Sequence, residues 1–480
     1  MKVVLISTYE LGRQPFGLAS PAAWLREAGA EVTCIDTSRE PLNEQAIHDA
    51  SLVGFYVPMH TATRLAAELL GEIRRINPHA HICFYGLYAS VNEAWLRHLG
   101  VQTILGGEFE QGFVHLASRL ANAKSSTATA QEEPVVSLSL QKFRVPSRTG
   151  LVPLGKYARV ALPSGEKLTV GYTEASRGCK HLCRHCPIVP VYKGVFRIVD
   201  RDVVLADIRQ QVAVGAQHIT FGDPDFFNGI GHAIPLVEAV HKEFPEITYD
   251  ATIKIEHLLK HSEHLRTLRE TGCLFVISAV ESVDDVILEK LEKHHTRADF
   301  LEVVRRFFME GLVLQPTFVP FTPWTTLQGY LDLLEVLRRN ELVENVAPIQ
   351  LAIRLLIPAG SRLLELDDIR EGIGPFDEAA MVYPWKHADS RVDGLGGEIQ
   401  RIAQVSDKMN RTRAQTFALI EETARQAAGL RGTEAQQPIV SRAAVPYLTE
   451  PWYCCAEPTG DQLASLVEAR KSLQKADGFV

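Results

Sequence analysis

Three cysteines within eight residues are the most chemically informative feature of this sequence. Cys179, Cys183 and Cys186 lie in the stretch RGCKHLCRHCP. Three thiolates on one short loop can bind three irons of a [4Fe-4S] cluster, and the fourth iron then stays open to a small molecule. Zinc is the alternative, but structural zinc usually takes four ligands with paired C-x2-C spacing. No fourth ligand follows at a matching interval, and His181 and His185 lie too close to the cysteines to complete a zinc site easily.

Predicted strands alternate with predicted helices from residue 168 to 365, a pattern typical of parallel strands joined by crossover helices. Helical spacing is present at 203–214 and 284–292. Six such units predict a partial (β/α)6 barrel, with the cysteine loop after its first strand. The six predicted strands are 168–173, 217–221, 247–253, 274–279, 312–319 and 348–356.

Polar residues follow these strands, at the end of a barrel where enzymes of this architecture place their catalytic groups. After the cysteine loop, the strand ends supply Gly222, Asp223, Asp225, Lys254, Glu256, Glu281 and Arg354. Their convergence on one rim indicates a binding site. For each carboxylate, a helix cap or a supporting hydrogen bond is the alternative role.

The first 122 residues predict a doubly wound, Rossmann-like α/β domain. Predicted strands at 3–7, 31–35, 52–57, 80–85 and 103–105 alternate with helices at 21–29, 61–76 and 92–99. Such sheets bind ligands at the carboxyl ends of their strands. A purely structural domain with an empty crevice is the alternative.

The remaining boundaries follow from composition and spacing. Residues 123–156 read as a linker, because they begin with a run rich in Ser, Thr, Ala and Glu. The barrel domain is predicted over 157–395, opening with a hairpin of 157–162 and 167–173. Residues 396–480 form the predicted helical C-terminal extension, with one long helix at 396–428.

Two adjacent thiols, Cys454 and Cys455, occur near the end of the chain in the stretch PWYCCAEP. Vicinal thiols can bind a soft centre such as arsenic or selenium, form a strained disulfide or ligate extra iron. A pair of ordinary buried cysteines is the alternative. Cys34 and Cys83 lie on predicted strands and Cys273 directly precedes one; all three are interpreted as buried, inert thiols.

Composition narrows the class of protein. The chain has 480 residues, of which 46% are hydrophobic and 22% charged, and its net charge is -8. That charge offers no basic surface for nucleic acid, and no signal peptide or long apolar run indicates a membrane. Eight cysteines, three of them on one loop, do not form a disulfide framework. We therefore expect a cytoplasmic protein that binds neither nucleic acid nor membrane.

The C-x3-C-x2-C spacing of the loop resembles that of the radical SAM superfamily. In that family the open iron chelates S-adenosylmethionine (SAM), and an electron from the cluster cleaves it to a 5'-deoxyadenosyl radical. The resemblance implies that His185 packs near the adenine and that Glu281 lies near the amino or ribose groups. The whole implied set of SAM-binding residues is His185, Gly222, Asp223, Asp225, Lys254, Glu256, Ser278, Glu281 and Arg354.

Two other segments extend this resemblance. The stretches 16–29, 57–63 and GGEFE at 106–110 resemble the cobalamin-binding domain that precedes many radical SAM enzymes. They imply cobalamin as a further candidate cofactor. The tail resembles that of the CUAEP/CCAEP-tail radical SAM proteins, some of which carry selenocysteine in this motif. It implies a catalytic role for Cys454 and Cys455.

Together these resemblances imply an enzyme with a [4Fe-4S] cluster and SAM that performs radical modification or group transfer. A transferase is favoured, with methyl transfer to a thiol, selenium or arsenic-containing substrate as one form. The implied partners are a small-molecule or metalloid substrate and an electron donor such as flavodoxin or ferredoxin. The alternative is an iron-sulfur or zinc-binding module that carries or senses metal without turnover.

Overall fold

Two largely parallel sheets form the framework of the protein. The computed structural model describes residues 1–122, 132–430, 439, 445–450, 467–468 and 472. Its strands are β1 (Lys2–Ser7), β2 (Glu31–Asp36), β3 (Leu52–Tyr56), β4 (His81–Tyr85), β5 (Thr103–Gly107), β6 (Val136–Ser137), β7 (Arg159–Ala161), β8 (Lys167–Thr173), β9 (Ser176–Gly178), β10 (Phe196–Ile198), β11 (His218–Phe221), β12 (Thr248–Thr252), β13 (Cys273–Glu281), β14 (Leu314–Phe318) and β15 (Tyr447–Leu448).

Helices connect and cover these strands. They are α1 (Phe16–Glu27), α2 (Glu44–Asp49), α3 (His60–Ile76), α4 (Leu87–Val91), α5 (Glu93–His98), α6 (Glu110–Asn122), α7 (Val189–Tyr192), α8 (Arg201–Ala213), α9 (Ile230–Glu243), α10 (Ile255–Lys260), α11 (Leu265–Glu270), α12 (Asp285–Lys290), α13 (Arg297–Glu310), α14 (Leu327–Arg339), α15 (Asp367–Gly372), α16 (Ser390–Lys408) and α17 (Arg413–Ala427). Among the described helices, none combines the length and apolar character that crossing a bilayer requires.

The first sheet has the parallel order β2-β1-β3-β4-β5-β6. Helices cover both of its faces, so its strands are nearly continuous apolar runs, as in other doubly wound domains. This confirms the predicted Rossmann-like domain. The short strand β6 comes from the segment predicted as a linker and extends the sheet beyond β5.

The second sheet has the order β14-β13-β12-β11-β8-β7-β15. From β8 to β14 all pairings are parallel, whereas β7 and β15 join antiparallel at the first edge. The largest apolar core of the described residues lies between this sheet and its outer helices. This confirms the predicted partial-barrel fold.

The sixth barrel strand, predicted at 348–356, is much shorter than expected. Its first residues, Pro348–Leu351, form a 3-10 turn instead. Among the described residues, one parallel bridge, between Phe321 and Arg354, continues the barrel beyond β14. Prolines explain the short pairing, because Pro320 and Pro323 flank Phe321 and cannot donate to a ladder.

The long helix predicted at 396–428 is two helices. Asn410 adopts a left-handed conformation, with a φ of 51°, just after α16 ends. Thr412 then begins α17 with a capping box that includes Gln415. An Asn at a helix C-terminus followed by a Thr-x-x-Gln start separates the two helices. The first of them begins at Ser390, before the predicted start of the extension.

The predicted linker packs against both domains where the structure describes it. Arg148 donates two hydrogen bonds of 2.8 Å to the Asp207 carboxylate on α8. It donates another, of 2.7 Å, to the Gln14 side chain of the first domain. This segment therefore holds the two domains against each other. Cys34, Cys83 and Cys273 are buried, as predicted, and burial raises the pKa of the Cys34 thiol to about 12.

Candidate functional site

The carboxyl ends of the two sheets face each other across a cavity of about 150 Å³. The first domain contributes residues at or after the carboxyl ends of its strands, including Phe16, Tyr56 and Phe109. The barrel contributes the turn before the cysteine loop and the residues after β11, including Arg177 and Gly222. Both binding edges predicted from the sequence therefore contribute to one site.

The cysteine loop begins at a glycine that no other residue could replace without strain. Gly178 has a φ of +70°, and a Cβ there would meet the Tyr192 ring and the Val195 carbonyl. Strands β9 and β10 pair antiparallel on either side of the loop and hold its two ends together. Cys179 and Cys183 are buried, and Cys186 is half-buried with its N–H bonded to the Cys183 carbonyl at 3.1 Å.

Two side chains from neighbouring strand ends point N–H groups at the cysteine sulfurs. The Asn228 side-chain amide lies 3.5 Å from the Cys179 Sγ, and the Lys254 Nζ lies 3.8 Å from the Cys183 Sγ. Burial raises the pKa of the Cys179 thiol. Hydrogen-bond donors and a buried cation beside the thiolates offset the energetic cost of burying their negative charge. The residues present therefore fit an anionic iron-sulfur cluster. Sequence reasoning found Lys254 and missed Asn228, although Asn228 follows Asp225 by only three residues.

A buried carboxylate links the cysteine loop to the end of β13. The Glu281 Oε1 lies 3.1 Å from the His185 Nε2 and 3.5 Å from the Lys293 Nζ. Glu281 has a φ of +69° at a register shift in the pairing of β13 with β14. Strained backbone of this kind is concentrated at functional sites. The structure thus brings together two predicted residues, and Lys293 is a third that the sequence reasoning missed.

The pKa of Glu281 is lowered to about 2 despite its burial. Burial alone raises the pKa of a carboxyl, but the Lys293 charge and the His185 hydrogen bond stabilise the ionised form more strongly. The group is therefore a carboxylate at neutral pH, with the Lys293 ammonium as a positively charged neighbour.

Asp223 contacts the residues that precede the cysteine loop. Its carboxylate accepts a hydrogen bond of 3.0 Å from the Ala175 N–H and one of 2.5 Å from the Ser176 hydroxyl. Burial raises its pKa to about 7. The neighbouring Gly222 lies against the Tyr172 hydroxyl and lines the cavity. Asp223 thus supports the turn that leads into β9.

Asp225 and Glu256 lie on the other side of the loop, next to His181. The Asp225 Oδ2 lies 3.3 Å from the His181 Nε2. The Glu256 Oε2 is 3.6 Å from the His181 Nδ1 and 3.6 Å from the Lys254 Nζ. Both acidic residues therefore meet the cysteine loop through His181.

The remaining predicted site residues lie apart from the contacts described above. Arg354 pairs with Asp393 at 2.7 Å and stacks on the Trp385 ring, so its guanidinium faces α16. Ser278 is fully buried within β13, and its hydroxyl has no hydrogen-bond partner among the described residues. Cys454 and Cys455 lie outside the described residues.

Arg177 is a site residue that the sequence reasoning missed. Its guanidinium lies 2.6 Å from the Glu110 carboxylate and 3.4 Å from that of Glu108, both in the first domain. It also lies 2.7 Å from the Glu174 carboxylate, just after β8. The cavity therefore has a charged wall that joins the two domains. Its position directly before the cysteine loop is the feature of the sequence that could have identified Arg177 as a site residue.

Comparison with known proteins identifies the barrel. Residues 173–333 match the family model of the Radical SAM superfamily, so this part of the barrel is similar to radical SAM domains. Over 204 residues, 38% of this chain and 46% of the relative, it is 26% identical to the ribosomal protein uS12 methylthiotransferase RimO of Parabacteroides distasonis. The corresponding enzyme of Geobacter sulfurreducens is 23% identical over 34% of this chain and 38% of its own length. The chain thus spans less than half the length of these curated relatives.

Solved structures share the two-domain fold. One is the radical SAM methyltransferase TsrM from Kitasatospora setae, solved with cobalamin and a [4Fe-4S] cluster bound. It is 15% identical, with a TM-score of 0.66 over 90% of this chain and 100% of that one. Another is the cobalamin-dependent SAM radical enzyme OxsB with aqua-cobalamin, 14% identical, with a TM-score of 0.68 over 98% of this chain and 79% of that one. At such identities the likeness establishes the fold.

The ionisation of Glu281 predicts a pH-dependent stability. A carboxyl whose pKa falls from roughly 4.3 in the unfolded chain to about 2 in the folded protein stabilises the fold above pH 4.3. That contribution, roughly 3 kcal/mol, is lost progressively as the pH falls from 4.3 towards 2. In urea unfolding, Glu281→Gln should therefore be less stable than the unmodified protein at pH 7, and the difference should shrink below pH 4.3. The exposed neighbour Glu289 provides the control Glu289→Gln, which should show no such trend. A constant difference at all pH values would contradict the assignment.

Proposed function

We propose that this chain is a radical SAM enzyme that binds a [4Fe-4S] cluster through Cys179, Cys183 and Cys186. The observation that carries the proposal is the buried cysteine loop with two N–H donors aimed at its sulfurs, inside a radical SAM domain. When bound, a reduced cluster with an open iron supplies an electron that cleaves SAM and gives a 5'-deoxyadenosyl radical. The electron donor is proposed to be a small redox protein of the flavodoxin or ferredoxin class.

The chain's own residues have separable roles in this proposal. Asn228 and Lys254 stabilise two of the thiolates, and the Lys254 ammonium offsets part of the negative charge that the cluster brings. Glu281 is the carboxylate available to the amino or ribose groups of SAM, because it is ionised and lies at the rim. His185 and Lys293 position it from two sides. Apolar side chains around the cavity, such as Phe16 and Phe109, exclude water from the reacting groups.

Anaerobic reconstitution with iron, sulfide, SAM and dithionite tests the enzyme proposal. We expect 5'-deoxyadenosine or another SAM cleavage product from the unmodified protein. Cys183→Ala should lose both the cluster absorbance and the product, because one iron loses its ligand. Cys273→Ala removes a buried thiol of the barrel core and serves as the control that retains both. A fully loaded cluster without any SAM cleavage would instead favour a metal-carrying or metal-sensing module.

Cobalamin is proposed as a second cofactor, held between the two domains. The fold shared with TsrM and OxsB and the position of the cavity at the strand ends support this proposal. The Tyr56 ring lies against Gly17 and Gly86 on the first-domain side of this cavity. We therefore propose that the Tyr56 side chain limits the space open to cobalamin.

Cobalamin retention after gel filtration tests this step. The reconstituted protein should retain about one equivalent of hydroxocobalamin, measured by its visible absorbance. Tyr56→Ala enlarges the cavity and should retain at least as much, whereas Tyr56→Phe, the size-matched control, should behave as the unmodified protein. Absence of retention in all three would remove cobalamin, and with it cobalamin-dependent methyl transfer, from the proposal.

Cys454 and Cys455 are proposed to hold a substrate with a thiol, selenium or arsenic centre. The described chain immediately before them supports a position near the domain junction. Strand β15 joins the barrel edge, and the Glu450 carboxylate accepts a hydrogen bond of 2.6 Å from the Tyr9 hydroxyl of the first domain. Glu450, the last described residue before the paired thiols, therefore lies beside the loop that follows β1.

Arsenite provides a probe for the paired thiols. The reconstituted protein should bind about one equivalent of arsenite, measured by elemental analysis after gel filtration, because vicinal thiolates chelate trivalent arsenic. The double variant Cys454→Ser/Cys455→Ser should lose this binding while SAM cleavage persists. Cys34→Ser is the matched control and should keep both. Equal arsenite binding in all three proteins would contradict a role for the pair.

A further inference from the structure

A second group of metal-ligating side chains lies beside the cysteine loop. It consists of His181, Asp225 and His257, whose ligand atoms all lie within 4.8 Å of one another. His181 belongs to the loop itself, Asp225 follows β11, and His257 lies on α10 after β12. Three separate elements therefore converge on one point beside the cysteine loop.

The three facing atoms are buried. Asp225 is fully buried, and His257 is only 8% exposed. The Asp225 Oδ2 lies 2.7 Å from the His257 Nδ1 and 3.3 Å from the His181 Nε2. One carboxylate oxygen and two imidazole nitrogens therefore face one another in a buried place, where a cation could bind all three.

The donor set and its support suit a transition metal. The other carboxylate oxygen of Asp225, Oδ1, faces the backbone N–H groups of Phe227 and Lys254 at 3.3 and 3.4 Å. Such outer contacts orient a ligating carboxylate and leave Oδ2 for the ion. Two imidazoles and one carboxylate are typical of zinc and ferrous sites.

We propose that His181, Asp225 and His257 bind a divalent first-row transition-metal ion, separate from the iron-sulfur cluster. The ion attaches the middle of the cysteine loop to the ends of β11 and β12. Its role is to position Cys179 and Cys183, which flank His181 on either side. The proposal goes beyond the radical SAM function and does not require it.

A cluster-free form of the full chain tests the site without interference from thiolates. In this background Cys179, Cys183 and Cys186 are replaced by Ala, and Cys454 and Cys455 by Ser. After dialysis against Zn²⁺, we expect about one equivalent of bound zinc by elemental analysis. Titration with Co²⁺ should give visible bands without the strong charge-transfer absorption of a cobalt thiolate.

Further substitutions in this background identify the ligands. His257→Gln and Asp225→Asn should each weaken Co²⁺ binding about tenfold or more, and circular dichroism checks that both variants are folded. His264→Ala, a partly exposed histidine of the turn after α10, is the control that should bind as before. Failure of the folded background to bind metal, or equal binding in every variant, would overturn the proposal.

Hydrogen exchange tests the positioning role. Amides of residues 177–187 should exchange more slowly with Zn²⁺ than with a chelator in the cluster-free background, and His181→Ala should abolish the difference. Unchanged exchange despite bound zinc would overturn the loop-positioning role. Because this protein has no cluster ligands, its result is independent of whether the complete chain cleaves SAM.

Discussion

A buried arginine sets the relation between the two domains and the cysteine loop. Arg177 pairs with Glu108 and Glu110 on one side and with Glu174 on the other, and its side chain is only 8% exposed. Loss of one partner from such a buried network typically costs about 3–5 kcal/mol, because the opposite charges remain buried. Cys179 follows Arg177 by two residues. The position of the first cluster ligand therefore depends on contacts made across the domain boundary.

The charge balance of this network also matters for the cavity beside it. One guanidinium cannot neutralise three buried carboxylates, and burial accordingly raises the pKa of Glu108 to about 7. Burial also raises the pKa of Glu110, but the Arg177 charge outweighs it, so Glu110 is the ionised partner. Protonation of Glu108 reduces the negative charge of this network. The network lies next to a loop proposed to carry an anionic cluster.

Local signals in the sequence predicted most of the fold. Strands β1, β3 and β11 were recognisable because parallel strands covered on both faces are short apolar runs. The predicted extent of two elements was wrong, for reasons that were visible in the sequence. The prolines around Phe321 limit the sixth strand of the barrel to one bridge, and the Asn410–Thr412 break divides the predicted long helix. In both cases residues that interrupt regular secondary structure ended an element within an apolar pattern that appeared continuous.

The sequence by itself determined the chemistry of the loop, since three cysteines at fixed short spacing approach one another in any compact turn. It also determined that polar residues follow parallel strands, which places them on one rim. Only the tertiary structure decided which of them meet: Glu281 contacts His185, 96 positions away, and Arg177 contacts Glu110, 67 positions away. Such pairs depend on strand order, sheet curvature and domain contact. Periodicity along a chain specifies which face a side chain occupies, but not which neighbour it meets across that face.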